Sequence, residues 1–137
     1  MTAMSAMTAI SYNSLMAYSP AVLDHFEHPR NVGDLPGADA EVRLEHPVCG
    51  DIMKLAVKLS DGRIGQVRYR TQGCVAAVAA GSCLTELIDG KSLTEARALQ
   101  REHLLDALGG LPNASMHATH LAIDALQQVL GKLKESP

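Results

Sequence analysis

Between Met53 and Leu59 the chain alternates. Met53, Leu55, Val57 and Leu59 are apolar, with Lys54, Ala56 and Lys58 between them. This is the period-two signature of a strand with one buried face. Asp61-Gly62 turns the chain, and Ile64 to Thr71 returns as a second strand with Arg68 and Arg70 outward. Upstream, Glu41 to Glu45 predicts a short strand with Val42 and Leu44 on one face, ended by the tight turn His46-Pro47-Val48-Cys49-Gly50-Asp51. Past Gln72-Gly73 the period changes. Cys74 to Asp89 is apolar nearly all round, which places a helix at the centre of the domain.

Helix signals flank that core. Ser19-Pro20 reads as an N-cap with Pro at the first helical position. Val22, Leu23 and Phe26 would form the inner face of that helix, and His28-Pro29-Arg30-Asn31 would stop it. Residues 31–39 then form a loop. Gly90 is a natural residue to follow the central helix. Ser92-Leu93-Thr94-Glu95 is a capping box opening another, which His103 to Leu108 continues by a turn or two. From about Ala114 to Lys134, Leu121, Ala122, Ala125, Leu126, Val129, Leu130 and Leu133 recur at helical spacing. Strands first and helices after give an α+β fold, a small antiparallel sheet of about three strands with several helices on one side. Residues 1–15 carry no charge and no clear period, and read as a flexible extension; residues 16–137 read as a single domain.

Composition narrows the function. A chain of 137 residues has room for one domain, and 47% apolar content supplies its core. A net charge of -3, no Trp and one Phe argue against nucleic acid, which needs a cationic face and stacking platforms. No apolar run approaches the roughly 20 residues of a membrane span. Residues 1–29 contain no Lys or Arg, so neither a secretory nor an Arg-rich transit signal is expected, and the reading is cytoplasmic. Three cysteines in a reducing compartment are core residues, nucleophiles or metal ligands.

Cys49 and Asp51 share one loop at a strand's start. Cys74 opens the central helix, where free N–H groups and the macrodipole are expected to lower a thiol's pKa. His117 lies near the start of the last helix. Each has an ordinary reading as well: packing for a free Cys, a turn for Asp51, a surface or core position for a lone His. His25 and His28 flank a helix end and are expected to contact its carbonyls or solvent. Cys83 follows Cys74 by nine positions, roughly 13 Å of helical rise and about half a turn, so it reads as packing. An enzyme with Cys74 as nucleophile and His117 as base would need an orienting third group, and none stands out. The protein is expected not to be an enzyme.

Met16-Ala17-Tyr18-Ser19, Asp24-His25-Phe26, His28-Pro29-Arg30-Asn31-Val32-Gly33, Cys49-Gly50-Asp51, Lys54-Leu55, Gly73-Cys74, Leu84-Thr85-Glu86, Gly90-Lys91-Ser92-Leu93 and Leu111-Pro112 occur in an order that resembles the IscU/NifU-type iron–sulfur cluster assembly scaffold family. The resemblance runs from about Met16 to the end of the last helix and implies a SufE/NifU-like fold. It implies that a cysteine desulfurase delivers sulfur as a persulfide, that iron joins it, and that a [2Fe–2S] cluster passes to apo-proteins. It makes Cys49 and Cys74 cluster ligands, Asp51 a weak oxygen ligand and His117 an alternative ligand beside the family's third cysteine. Here His117 is followed by Ala118, and the family's chaperone-binding Leu-Pro-Pro-Val-Lys reads Leu111-Pro112-Asn113-Ala114-Ser115. The missing Lys argues against docking to an Hsp70-type chaperone.

Two thiolates, an imidazole and a carboxylate remain. They suffice for tetrahedral zinc, or for a [2Fe–2S] unit with imidazole in place of one thiolate. A cluster bridging two protomers through Cys49 and Cys74 of each is a third arrangement, so monomer and homodimer both stay open. The rival to a cluster scaffold is a divergent paralogue that binds zinc or no metal and acts as an interaction or regulatory partner of the desulfurase machinery.

Overall fold

The computed structural model describes residues 17–133. The expected extension at 1–15 and the expected helix end at Lys134 lie outside them. The first helix, α1, spans Pro20–Glu27; Ser19 caps it by accepting the Val22 N–H at 3.1 Å. Its buried face is Val22 and His25, whereas Leu23 and Phe26 are half-buried. The sequence reading misplaced His25, for a reason given below.

Three antiparallel strands follow in the order β1 (Ala40–Glu45), β2 (Ile52–Ser60) and β3 (Arg63–Gln72). The β2–β3 hairpin turns on Asp61 and Gly62, both at positive φ (55° and 75°), as an Asp-Gly turn requires. Next to it the register slips between Lys58 and Leu59, where Gly65 is the extra residue. A Cβ there would lie 2.7 Å from that of Ser60, so a glycine fills the bulge. One sheet face buries Ala40, Val42, Met53, Leu55, Val57, Ile64, Val67 and Tyr69. Ala56 is buried as well, against the alternation, because its methyl lies between Glu41 and Arg68 on the flanking strands.

The central helix α2 (Val75–Ile88) crosses that apolar face, against β3, and α5 (His117–Lys132) covers β1 and β2. Gly81 lets α2 sit down on the sheet. A Cβ at Gly81 would stand 2.3 Å from the Tyr69 ring, whose hydroxyl donates to the Val78 carbonyl at 2.7 Å. Helices α3 (Leu93–Arg97) and α4 (Arg101–Leu108) are separate. The sequence reading ran them together. Ser92 and Glu95 form the expected capping box, but Gln100 opens α4 afresh, its N–H donating to His103 Nδ1 at 2.9 Å. A short 3₁₀ turn at Asn113–Ser115 precedes α5, so the last helix starts three residues later than its periodicity predicts. The fold is α+β, as expected. It brings the β1–β2 loop, the start of α2 and the start of α5 to one end of the molecule.

Candidate metal centre

Each of the four candidate donors stands at an element's edge. Cys49 lies in the β1–β2 loop and is exposed, and Asp51 immediately precedes β2. Cys74 is the N-cap of α2 and His117 the first residue of α5. Edges position side chains through rigid elements while leaving them room to bind. Gly50, at φ 77°, supplies the left-handed step that joins Cys49 to Asp51.

The fold brings these side chains together. One ligand atom each from Cys49, Asp51 and His117 lies within 4.8 Å of the other two. His117 Nε2 is 3.2 Å from Asp51 Oδ2. The Cys74 thiol donates to the same Oδ2 at 3.4 Å, and its sulfur is 3.7 Å from His117 Nε2. Asp51 and His117 therefore lie bonded to or beside the Cys74 thiol and within 4.8 Å of the Cys49 ligand atom. Gly73 makes room for this: a Cβ there would sit 2.6 Å from Asp51 Cγ. The Asp51 and His117 side chains are 12% and 22% exposed, largely buried yet reachable from solvent.

The helix start does not lower the Cys74 pKa, contrary to the sequence expectation. Burial pushes the thiol up, and the Asp51 charge adds to it. The backbone N–H groups of Ala77 and Ala76 pull the other way and lose. Desolvation of a half-buried sulfur beside a carboxylate outweighs two peptide dipoles. A cation held by these residues would reverse the balance, since it would offset the Asp51 charge and displace the thiol proton.

Cys83 is elsewhere. It is 3% exposed within the core, and burial raises its pKa to about 11. The packing role read from its spacing holds. His120 points to Arg101 at 2.7 Å and takes no part in the site. Two histidines do more than their sequence positions suggested. His25 is buried and bonded to Ser82 Oγ at 2.7 Å, with Glu86 Oε1 at 3.4 Å from its other nitrogen. A helix-end histidine gives no sequence sign of partners 57 and 61 residues away. The second is His46, whose Nδ1 accepts from the N–H groups of Val48 and Cys49 at 3.3 Å each. Its signal was its offset from Cys49: an acceptor at that spacing imitates an Asx turn.

Ala118 is fully buried on α5, directly after His117. No thiol stands at this position.

A family model for the NifU-like N terminal domain matches residues 17–137. The iron–sulfur cluster assembly scaffold protein IscU 1 of Archaeoglobus fulgidus is 44% identical over 113 residues, covering 82% of this chain and 74% of that protein. The scaffold protein IscU of Escherichia coli K12 is 42% identical over 123 residues, covering 87% of this chain and 95% of its own. Among solved structures, a NifU-like N-terminal protein from Brucella abortus superposes with TM-score 0.70 at 19% identity, covering 88% of this chain and 96% of that one. An iron–sulfur scaffold of the SUF system from Fervidobacterium islandicum gives 0.69 at 20% identity, covering 86% and 99%. These two share the fold. With the family model spanning nearly the whole chain and relatives above 40% identity, the chain belongs to the NifU-like N-terminal domain family.

Proposed function

We propose that this protein is an iron–sulfur cluster assembly scaffold in which Cys49, Asp51, Cys74 and His117 hold iron and a [2Fe–2S] cluster for transfer to apo-proteins. The observation that carries the reading is the convergence of two thiols, an imidazole and a carboxylate on a single half-open site. The donors suit the cargo. Thiolates are soft ligands that favour iron–sulfur units, and imidazole replaces thiolate at some such clusters. Four donors give two per iron of a two-iron unit. A carboxylate oxygen is a harder ligand than a thiolate, so Asp51 supplies the weakest bond, and a weak bond suits cargo that must leave.

A cysteine desulfurase is the proposed sulfur source. Sulfur arrives as a persulfide: an acceptor thiolate attacks the outer sulfur, the donor's S–S bond breaks, and the donor cysteine leaves as thiolate. The transfer itself needs no oxidant; turning the transferred sulfur into the cluster's sulfide takes two electrons from an external reductant. Cys49, the exposed cysteine, suits this step best. The cytoplasm is the proposed compartment; none of the described helices is long and apolar enough to cross a membrane. The relatives are named as scaffolds, in keeping with a chain that is not an enzyme.

One observation favours a second reading. With Ala118 in the buried first turn of α5, the donors number four, the set that closes a tetrahedral zinc site. A zinc-bound partner of the desulfurase machinery would keep the fold without building clusters. A transfer experiment separates the two. The chain, loaded anaerobically with ferrous iron and sulfide, is desalted and mixed with an apo-ferredoxin. Migration of the visible spectrum to the ferredoxin supports the scaffold. Iron that never enters while zinc resists chelation supports the second reading.

A further inference from the structure

The side chain of His46 touches two parts of the site at once. Its Nδ1 accepts from the backbone N–H groups of Val48 and Cys49, at 3.3 Å each. Its ring lies 5.4 Å from the His117 ring, centre to centre, tilted by 59°. Its backbone closes the same loop: His46 N–H donates to the Asp51 carbonyl at 2.7 Å, and the Gly50 N–H donates to the His46 carbonyl at 2.9 Å. Every backbone tie of the 46–51 loop therefore runs through this residue, among the bonds the structure describes.

That loop needs holding. Val48 is 88% exposed and Cys49 is exposed, so packing does little to place the Cys49 sulfur. Gly50 at φ 77° adds conformational freedom just beyond it. With Ala118 offering no thiol, Cys49 is one of only two cysteines at the site.

We infer that His46 is a positioning residue, which fixes Cys49 beside Asp51 and steadies the His117 ring without itself being a ligand. The tautomer supports the last part. A nitrogen that accepts two N–H bonds carries no proton, so the neutral ring has its proton on Nε2. Nδ1 is engaged and Nε2–H has no lone pair to offer a metal. His46 does for this loop what an Asn or Asp does in an Asx turn, accepting from the N–H groups two and three residues on.

The inference rests on the four-donor reading of the site, and its test separates the two. In the metal-free protein, long-range proton–nitrogen NMR reads the His46 tautomer, and amide exchange reads the Val48 and Cys49 N–H groups. Cobalt(II) titration then compares the unsubstituted protein with His46→Ala and His46→Asn. The expected tautomer is Nε2–H. His46→Ala should lose Val48 and Cys49 protection and weaken cobalt binding by about 10- to 100-fold, the range for partners that orient a metal's ligands. His46→Asn should restore both, because its side-chain oxygen accepts at the same two positions. An Nδ1–H tautomer, or undiminished binding in His46→Ala, would overturn the inference. So would a His46→Asn protein that loses metal as badly as His46→Ala, since that marks His46 as a ligand. If the unsubstituted protein takes up no cobalt, the four-donor site falls, and the tautomer and exchange results still decide whether His46 holds the loop.

Discussion

Among the described residues, two groups place histidine near cysteine and carboxylate, and they differ in how their charges are partnered. Between α1 and α2, His25 Nδ1 meets Ser82 Oγ at 2.7 Å, and Ser82 in turn accepts the Arg30 N–H at 2.9 Å. Glu86 lies 3.4 Å from His25 Nε2 and 3.6 Å from Arg30 Nε, and Cys83 is buried in the core nearby. The Arg30 guanidinium pairs with Glu86 and, at 2.6 Å, with Asp24, so each carboxylate there already has a cationic partner. At the other cluster no arginine or lysine is described against Asp51. Its neighbours are His117 and the Cys74 thiol, with Cys49 close by and open to solvent. The first arrangement is complete as it stands. The second has lone pairs crowded together that a cation would satisfy, and that difference matters more than residue type.

The largest way to break the contrast is His117→Ala. It removes a donor that lies close to both thiols, and iron or zinc affinity should fall by more than about 100-fold, beyond the range seen when only an orienting partner is lost. Full retention, measured as metal per chain, would leave only a cluster bridged between protomers by Cys49 and Cys74. Gly73→Ala acts one step back. Its methyl cannot share space with the Asp51 carboxylate, so metal binding should weaken by about 10- to 100-fold with little change in helix content. Unchanged affinity by titration would mean the carboxylate is not needed where it stands.

Ser82→Ala should do the reverse. It strands His25 Nδ1 and the Arg30 N–H, costing about 1–3 kcal/mol in urea unfolding, while metal binding stays as it was. Metal loss there would show that the two clusters are coupled.

Smallest, and purely titrational, is the pH dependence of the metal-free protein. Burial raises Cys83 to about 11 and Tyr69 to about 12, so both stay neutral in the fold after the unfolded chain would ionise them. Their contribution is complete below about pH 9 and is lost as pH rises through those values. On the acid side burial, and then the Arg30 charge, depress His25 below 6.5. Its contribution is present above that value and is lost as pH falls through the lowered one. Thermal melts from pH 5 to 11 should peak in the middle; Ser82→Ala should alter the acid limb through His25 and, because the Ser82 hydroxyl also pulls the Tyr69 pKa down, the alkaline limb as well.

Much of the fold was legible because its signals are local. The alternation of Met53 to Leu59, the Asp61-Gly62 turn, the Ser92–Glu95 box and Gly90 each act within a few residues. The α3–α4 break was not, since Gln100 is a weak capping residue and its partner His103 lies in a stretch that also reads as helix. Within the site, residue types and element edges marked Cys49, Asp51, Cys74 and His117 as candidates, and the family resemblance joined them. What the sequence hid was electrostatic and long-range. The pull of the helix on Cys74 was visible, but the burial and the Asp51 charge that outweigh it depend on contacts made across 23 residues. His25 was likewise unreadable, its partners lying on another helix.

The central claim is that the half-open cluster holds iron together with sulfide. The most direct test counts both per chain after anaerobic reconstitution, with the visible spectrum recorded for the unsubstituted protein and for Cys49→Ser. Equal iron and sulfide, with charge-transfer bands that vanish in Cys49→Ser, is the predicted result. Absence of retained sulfide, or bands that persist unchanged in Cys49→Ser, would contradict it.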